Sequence, residues 1–412
     1  MDLQSTSGQV PLVMGAPFGL LLLAIALGPL CFAGWWGRHY PKVIGVLSMI
    51  VVLYYVFIRH AVSHLWETGE EYISFMAVMG SLFVVSGGIH INVKREATPL
   101  ANVVFLLIGA LLTNVLTTTG ASMLLIRPWL RMNRYRVSAH HVIFFIFLVS
   151  NVGGCLTPIG PPLFLGYLAG VPFWWVTKNC LPMWCVGVGV LLAMFFAIDY
   201  RNNVRTPQEI RAQQTGHEQW RFQGLHNIFF LFVILGAALI HHPPFLREGL
   251  MLAAAVGSYF TTKKSVHESN HFNFHPINEV AVLFFGIFAT MVPALDWLQI
   301  NAGQWADATP GMFFFSSGIL SSLLDNAPTY LCFLKVIHVN LDSRLLAISI
   351  GSVFFGGCTY IGNAPNFMIK SIADHQKVKM PTFLGCMAKY SLPFMAPMLV
   401  IVWLLFFRAM PH

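Results

Sequence analysis

Four short polar clusters interrupt the long apolar runs of this sequence. They read TNVLTTTG (113–120), SNVGGCLTPIGPP (150–162), LDNAPT (324–329) and GGCTYIGNAPNF (356–367), and Asp325 is the only carboxylate among them. Carboxylate, amide and hydroxyl oxygens are ligands for hard cations, and a desolvated carboxylate also takes up protons. Hydroxyl groups and helix N-termini bind anions. The clusters therefore predict a binding site for small ions.

The candidate binding residues are polar side chains from all four clusters. They are Asp325, Asn326, Asn114, Thr117, Thr118, Ser150, Asn151, Thr157, Thr359 and Asn363. Within this set the expected Na⁺ ligands are Asp325, Asn326 and Asn151. The backbone breaks are expected at the glycines and prolines of the clusters, namely Gly153, Gly154, Pro158, Gly160, Pro328, Gly356, Gly357, Gly362 and Pro365.

The elements that must position these side chains are predicted to be membrane helices. Of the 412 residues 56% are hydrophobic and only 10% are charged, whereas soluble domains carry about 25% charged residues. A bilayer core about 30 Å thick needs about 20 apolar residues per helix, and uncharged stretches of this length recur along the chain. The sequence therefore predicts an all-α polytopic membrane protein without a soluble domain.

Two halves of the chain carry similar landmarks in the same order. Gly153-Gly154-Cys155 aligns with Gly356-Gly357-Cys358, and Thr113-Asn114 aligns with Asp325-Asn326. Two matches in order predict an internal repeat. We expect a first repeat at 1–198, a cytoplasmic connecting loop at 199–224 and a second repeat at 225–412.

Basic residues flank the run 100–126 on both sides, with Lys94 and Arg95 before it and Arg127 and Arg131 after it. Because basic loops are cytoplasmic, the chain should enter and leave on one side, as a re-entrant hairpin at about 100–130. Five crossings remain per half, so the second repeat is inverted and both termini lie outside. The second half should then contain its own hairpin. The predicted crossings are 15–37, 42–59, 72–92, a broken helix at 139–177, 180–198, 225–241, 246–262, 278–296, a broken helix at 345–376 and 382–407, with the second hairpin at about 311–336.

Other chemistry is less well supported by the sequence. The net charge of +8 comes from bases in short loops, which indicates topology rather than nucleic-acid binding. The sixteen histidines include no HExxH motif, so neither a zinc site nor any cofactor is expected. The seven cysteines lack CxxC spacing and are expected to be core residues. No nucleophile and base stand out as a pair, which argues against a membrane enzyme.

Carboxylates outside the clusters fall near the ends of predicted spans. Asp199 and Asp296 are expected to be solvated there, together with Glu67, Glu70 and Glu71. Glu279 begins the span 278–296, where it is either interfacial or an entry carboxylate. Asp325 is therefore the one acid expected within the membrane, and such groups are functional hypotheses by default.

The clusters also resemble motifs of a known family. SNVGGCLTPIG is similar to the Ser-Asn-x-Gly-Gly-x-x-x-Pro-Ile-Gly motif of NhaD-type bacterial sodium/proton antiporters, and LLDNAPT resembles their Asp-Asn-x-Pro motif. These belong to the ion transporter superfamily, with citrate, dicarboxylate and arsenite transporters. The resemblance implies a scaffold domain, a mobile transport domain, elevator-like motion, a homodimer and a bacterial inner membrane. One departure is Thr113-Asn114, where these antiporters carry Asp-Asn.

Two functions fit these residues. In the first, the protein is a sodium/proton antiporter in which Na⁺ and H⁺ compete for Asp325. In the second, it is a sodium- or proton-coupled transporter of an organic anion such as citrate or a dicarboxylate, bound by threonine hydroxyls and helix N-termini. Asp325 would repel such an anion by about 3 kcal/mol at 5 Å unless a cation lay between them. A channel is a weaker third reading, because Asn-Ala-Pro differs from the Asn-Pro-Ala motif of water channels.

Overall fold

The structure, a computed structural model, describes residues 10–92, 97–205, 221–238, 240, 245–270, 272–301, 308–337 and 341–408. These residues are almost entirely helical. Five of the helices are long and apolar enough to cross a membrane, and several shorter helices are equally apolar. The prediction of an all-α polytopic membrane protein is confirmed. By length and composition alone these five are Gly34–Ile58, Pro99–Met132, Phe173–Arg205, His275–Trp297 and Phe383–Phe407. Of these, Pro99–Met132 is interrupted at Thr117, whose backbone angles are not helical.

The first half of the chain contains seven helices and one short strand among the described residues. They are α1 (Ala16–Cys31), α2 (Ala33–Leu53, continued by a π-helical turn Tyr54–Ile58), α3 (Val62–Gly87), β1 (His90–Asn92), α4 (Pro99–Met132), α5 (Ala139–Leu148), α6 (Pro161–Leu168) and α7 (Phe173–Arg205). A 3-10 turn, Val152–Cys155, lies between α5 and α6.

The second half begins with a short strand that pairs antiparallel with β1. Its elements are β2 (Arg221–Gln223), α8 (Asn227–Ala238), α9 (Leu246–Thr261), α10 (Lys264–Ser269), α11 (His275–Ile300), α12 (Pro310–Leu323), α13 (Asn326–Val336), α14 (Ser343–Phe354), α15 (Ala364–His375) and α16 (Phe383–Phe407). A 3-10 turn, Phe355–Cys358, lies between α14 and α15.

Several predicted boundaries are wrong. The break between α1 and α2 lies at Phe32 rather than near residue 40. Helix α3 begins at Val62, ten residues before the predicted crossing, because its charged turn with Glu67, Glu70 and Glu71 is helical too. Helix α7 continues to Arg205, so the loop predicted from residue 199 starts later. Residues 206–220 lie outside the described part of the chain.

Large apolar side chains cover much of the outer surface. Phe57, Phe229, Phe260 and Leu405 are all more than half exposed. A soluble protein would bury such residues, whereas lipid tails solvate them without cost. The exposed apolar surface is therefore expected for helices in a bilayer.

The helices form two packed groups. The outer group contains α1, α2, α3, α8, α9 and α11, and the inner group contains α4 to α7 and α12 to α16. In the outer group two helices of the first half, α1 and α2, pack on α11 of the second half. In the same way two helices of the second half, α8 and α9, pack on α3 of the first half. In the inner group α4 contacts α15 as α13 contacts α6. Each of these contacts between the halves therefore has a counterpart with the halves exchanged.

Candidate functional site

Helix α4 folds back on itself at Thr117. This residue has φ 62° and ψ 163°, a region that β-branched residues rarely adopt. A Cβ on Gly109 would lie 3.4 Å from Leu125 Cδ1, although a straight helix would separate these residues by about 24 Å. At the other end Asn102 Nδ2 donates to Asn133 Oδ1 over 2.8 Å. Two antiparallel arms, 99–116 and 118–132, therefore lie side by side.

Helices α12 and α13 form the corresponding pair in the second half. The chain breaks between Leu323 and Asn326, and Asp325 is the N-cap of α13, with its Oδ1 accepting from Ala327 N over 3.3 Å. The rings of Phe313 and Phe333, on opposite arms, lie 6.2 Å apart edge to face. This segment also reverses direction at its polar cluster.

The tip residue equivalent to Asp325 is Thr117. Each caps the returning arm with its side chain, since Thr117 Oγ1 accepts from Gly120 N over 3.1 Å. The predicted alignment of Thr113-Asn114 with Asp325-Asn326 is therefore wrong by four residues. In the corrected register TTTG at 117–120 lies on DNAP at 325–328.

Two threonines support this register. Thr157 Oγ1 donates to the Asn114 carbonyl over 2.6 Å, and Thr359 Oγ1 donates to the Ser322 carbonyl over 2.5 Å. Asn114 and Ser322 each precede their tip by three residues. The predicted site residues Thr157 and Thr359 thus hold a broken helix against a hairpin in the same way in both halves.

Asp325 connects the N-termini of two helices. Besides capping α13, it accepts from Ala364 N, the first residue of α15, through Oδ2 over 3.0 Å. Aligning Ile159-Gly160 with Ile361-Gly362 places Pro162 opposite Ala364, and proline has no N–H to donate. The first half therefore lacks both members of this hydrogen bond, with Thr117 in place of the acid.

A chain of asparagines joins the two broken helices. Asn363 Nδ2 donates to the Ser150 carbonyl over 2.6 Å and to Asn151 Oδ1 over 3.2 Å. Asn151 Nδ2 in turn donates to Asn366 Oδ1 over 2.9 Å, and Asn366 Nδ2 donates to the Gly356 carbonyl over 2.7 Å. All these asparagines are buried. The four polar clusters thus meet at one centre, and Asn366 is a member that the sequence analysis missed.

The other two predicted asparagines also bind backbone. Asn114 Nδ2 donates to the Gly153 carbonyl over 2.8 Å, and its Oδ1 accepts from Leu156 N over 2.9 Å. With its amide nitrogen toward the carbonyls, Asn326 donates to Ser352 O over 3.0 Å and to Gly362 O over 2.7 Å. These amides satisfy the backbone groups that a broken helix leaves without partners.

Threonine hydroxyls at the tip of α4 have spare donors. Within the described part of the chain no acceptor hydrogen-bonds to the hydroxyls of Thr118 and Thr119, and Thr117 Oγ1 only accepts there. Thr118 packs its methyl group against Gly154. Three consecutive hydroxyls therefore surround the N-terminus of the returning arm, which is an arrangement suited to an anion. Ser150 faces the same arm, with its Oγ 2.9 Å from Ser122 Oγ.

The glycines of the breaks allow close backbone contact. A Cβ on Gly153 would lie 2.5 Å from the Leu148 carbonyl oxygen and 2.7 Å from Ala110 Cα of the first arm of α4. A Cβ on Gly356 would lie 2.7 Å from Asn151 Oδ1. Gly362 is crowded in the same way, while Gly357 and Gly160 have more room. Side chains at the crowded positions would separate the breaks from the hairpins.

The prolines of the clusters begin helices rather than end them. Pro328 lies in the first turn of α13, and Pro365 is the second residue of α15. First-turn N–H groups have no intrahelical acceptor, so proline removes nothing there. Pro158 is buried in the loop before α6.

Asp325 is the only one of the three predicted Na⁺ ligands that can carry a negative charge. Its side chain is partly exposed, whereas Asn151 and Asn326 are buried and hydrogen-bonded on the polar centre. Carbonyl oxygens of Ser321 and Gly356 lie within 3 Å of the position that a Gly362 Cβ would take. Asp325 and such carbonyls are the groups that could hold a cation.

Asp199 is not solvated as predicted. It is fully buried and forms a bidentate pair with Arg136, with Nη2 to Oδ2 at 2.9 Å. His140 Nε2 and His141 Nε2 lie 3.4 and 3.1 Å from its Oδ1. These three groups are close enough to share a metal ion, but the guanidinium already neutralises the carboxylate. The cluster joins the base of α4 to α5 and α7 as an ion pair.

Of two further acids, Asp296 differs from its expected solvation, whereas the two alternatives for Glu279 stay predictions. Asp296 is mostly shielded and accepts from Tyr55 Oη over 2.6 Å and His64 Nδ1 over 3.1 Å. Glu279 accepts from Ser371 Oγ over 2.9 Å, which connects α11 of the outer group to α15 of the inner group. Neither lies among the hairpin tips and helix breaks.

The region that contains the whole polar centre also matches a protein family. No curated protein sequence matches the chain. A family model described as "Putative citrate transport" matches residues 7–407, which include all four polar clusters and both groups of helices. The protein is therefore a multi-pass membrane transporter that belongs to this citrate-transport family.

Proposed function

We propose that the protein transports citrate or a similar organic anion, coupled to Na⁺ or H⁺ at Asp325. The single observation that carries this proposal is the asymmetry of the two tips. Thr117 with Thr118 and Thr119 offers neutral donors at one helix N-terminus, while Asp325 places a carboxylate at the equivalent N-terminus. One tip suits an anion and the other suits a cation or proton.

Coupling follows from the charge of Asp325. An ionised Asp325 repels a carboxylate about 5 Å away by about 3 kcal/mol at an effective dielectric of 20. A bound Na⁺ or a proton on Asp325 removes this repulsion. The anion therefore binds well only after the cation, which is the requirement for symport.

The proposed transport cycle moves the inner helix group against the outer one. Both tips and both breaks belong to the inner group, which contacts the outer group through α3 with α4 and α11 with α15. In this proposal the two folded-back segments are re-entrant, since their ends lie on one side and their returning arms, 118–132 and 326–336, are only about 23 and 17 Å long. The bilayer core is about 30 Å thick. The second repeat is inverted, both termini are outside, and the outer group forms a homodimer in the bacterial inner membrane.

Sodium/proton antiport is the second candidate. Asp325 favours it, because this is the only carboxylate at the polar centre among the described residues, and one carboxylate suffices for exchange of one Na⁺ for one H⁺. The spare hydroxyls of Thr117 to Thr119 have no role in that reaction. The match to a citrate-transport family also favours the anion.

One vesicle preparation distinguishes the two functions. Purified protein is reconstituted with a pH-sensitive dye inside the vesicles, and Na⁺, Li⁺, K⁺, citrate or succinate is added outside. The anion proposal predicts uptake of labelled citrate or succinate that requires a Na⁺ or proton gradient, accompanied by a dye response to the anion when the coupling ion is H⁺. A response to cations alone, with none to anions, would establish antiport instead.

A further inference from the structure

A small cavity lies between the two helix groups, away from the polar centre. Its volume is about 50 Å³, and it is lined by residues of α3, α4, α11 and α15 and of the loop between α10 and α11. A water molecule needs about 10 to 15 Å³ of such space, so the cavity holds about three to five waters or one carboxylate group. Its lining includes Phe83, Arg127, Asn273, His375 and Gln376.

Arg127 forms the floor of this cavity. It is 3% exposed, and within the described residues its guanidinium donates only to Ser86 Oγ, through Nη1 over 2.9 Å. The Phe83 ring centroid lies 5.1 Å from its Cζ. No carboxylate among the described residues pairs with it. A buried cation without an anion costs several kcal/mol, so such a residue in a membrane protein indicates a function.

The surroundings of Arg127 are also cationic or neutral. Arg131 follows it one turn later, and His375 at the mouth of the cavity is exposed and stacks on His275 at 5.9 Å. The nearest acid on α15, Asp374, already binds Lys370 Nζ at 2.6 Å. The cavity thus has a buried positive floor at Arg127 and a polar mouth, and no carboxylate among the described residues pairs with Arg127.

We propose that this cavity, which we call the Arg127 pocket, binds one carboxylate group of the transported anion as it enters or leaves on the basic, cytoplasmic side. The inference rests on the proposed function, because it adds a second station for the same substrate. A pocket shared by both helix groups is well placed for this, since their relative motion would open or close it. Citrate would occupy it through one of its carboxylates only.

The test measures citrate binding and sided transport in Arg127→Gln, with Arg134→Gln as the matched control. Arg134 is an exposed arginine on the same side that stacks on Tyr135. A charge-assisted hydrogen bond is worth about 1.5 to 3 kcal/mol, so Arg127→Gln should raise the cytoplasmic-side KM for citrate about 10- to 100-fold. The outer-side KM should stay within about twofold, and Arg134→Gln should leave both unchanged.

A second variant covers the case in which Arg127→Gln does not fold. His375→Gln lies at the exposed mouth and should raise only the cytoplasmic KM, by a smaller factor. Equal KM changes on both sides, or no change in any pocket variant while the wild type transports citrate, would overturn the Arg127 pocket alone. If the wild type does not transport citrate, citrate must still raise the Tm of detergent-solubilised wild type and not of Arg127→Gln. If citrate does not raise the Tm of the wild type, the proposed Arg127 pocket is wrong. If citrate raises the Tm of the wild type but not of Arg127→Gln, the pocket stands and only the transport proposal is refuted.

Discussion

Replacing Asp325 by Asn should separate anion binding from cation coupling. The change keeps the shape of the side chain and one acceptor for the N–H groups of Ala327 and Ala364, but it removes the charge. For a substrate carboxylate about 5 Å away, that charge is worth about 3 kcal/mol, or about two orders of magnitude in affinity. The wild type should therefore bind citrate about 100-fold more tightly in Na⁺, or at low pH if the proton is the coupling ion.

In Asp325→Asn the affinity for citrate should be the same with and without Na⁺ or added protons. Isothermal titration calorimetry of purified protein in detergent measures this, with choline replacing Na⁺ at each of several pH values. Asp374→Asn is the matched control, because Asp374 is an exposed acid of α15 that pairs with Lys370. The reasoning is refuted if Asp325→Asn keeps the cation dependence of the wild type, or if neither protein binds citrate.

Three further substitutions test the geometry of the centre. Thr117→Gly should have a Tm no lower than the wild type, because glycine relieves about 1 to 3 kcal/mol of backbone strain, and it should bind citrate more weakly. Thr119→Gly, at a position with ordinary helical backbone, should lower the free energy of unfolding by about 0.5 to 1 kcal/mol. A Thr117→Gly variant less stable than Thr119→Gly would contradict the proposed strain at Thr117. Asp199→Asn should lower the free energy of unfolding by about 3 to 5 kcal/mol, because it leaves Arg136 buried without an anion. A decrease below about 1 kcal/mol, measured by thermal unfolding, would disprove the role of this ion pair. Gly153→Ala should lower the free energy of unfolding by about 1 to 3 kcal/mol, because the added methyl group clashes with α4, and it should lower citrate uptake. Unchanged stability and uptake would show that the close contact between Gly153 and α4 is dispensable.

The sequence was most informative where membrane physics restricts the chain. Asp325 could be selected because an apolar run tolerates a carboxylate only for a reason. Arginines on both sides of 100–126 predicted that the run folds back, and the contact between Gly109 and Leu125 shows that it does. Breaks rich in glycine and asparagine were visible for the same reason, since exposed backbone in a bilayer must find partners.

The equivalence of the two tips could not be read from the sequence. Thr113-Asn114 looks like Asp325-Asn326, but the first arm of α4 has 18 residues, 99–116, whereas α12 has 14. Local similarity therefore misaligns the tips, and only the capping and the carbonyl acceptors reveal the correct register. The role of Thr117 depended on this correction.

Tertiary contacts explain the residues that were missed. Asp199 is 63 residues from Arg136 in the chain, and nothing in its local sequence indicates that the two are buried together. Asn366 aligns with an aromatic residue, Phe164, in the first half of the chain, so comparing the two halves gave no indication of its role. Arg127 appeared in the sequence only as one of several topology-setting bases.

The central claim is that citrate or a related anion is accumulated at the expense of a cation gradient. Its most direct test is uptake of labelled citrate into vesicles that contain the purified protein, with an inward gradient of Na⁺ or of protons and with no gradient. The proposed function predicts that citrate rises above its external concentration under at least one gradient, and that Asp325→Asn abolishes this accumulation. If citrate accumulates under neither gradient while the vesicles exchange Na⁺ for H⁺, the protein is an antiporter and the claim is wrong.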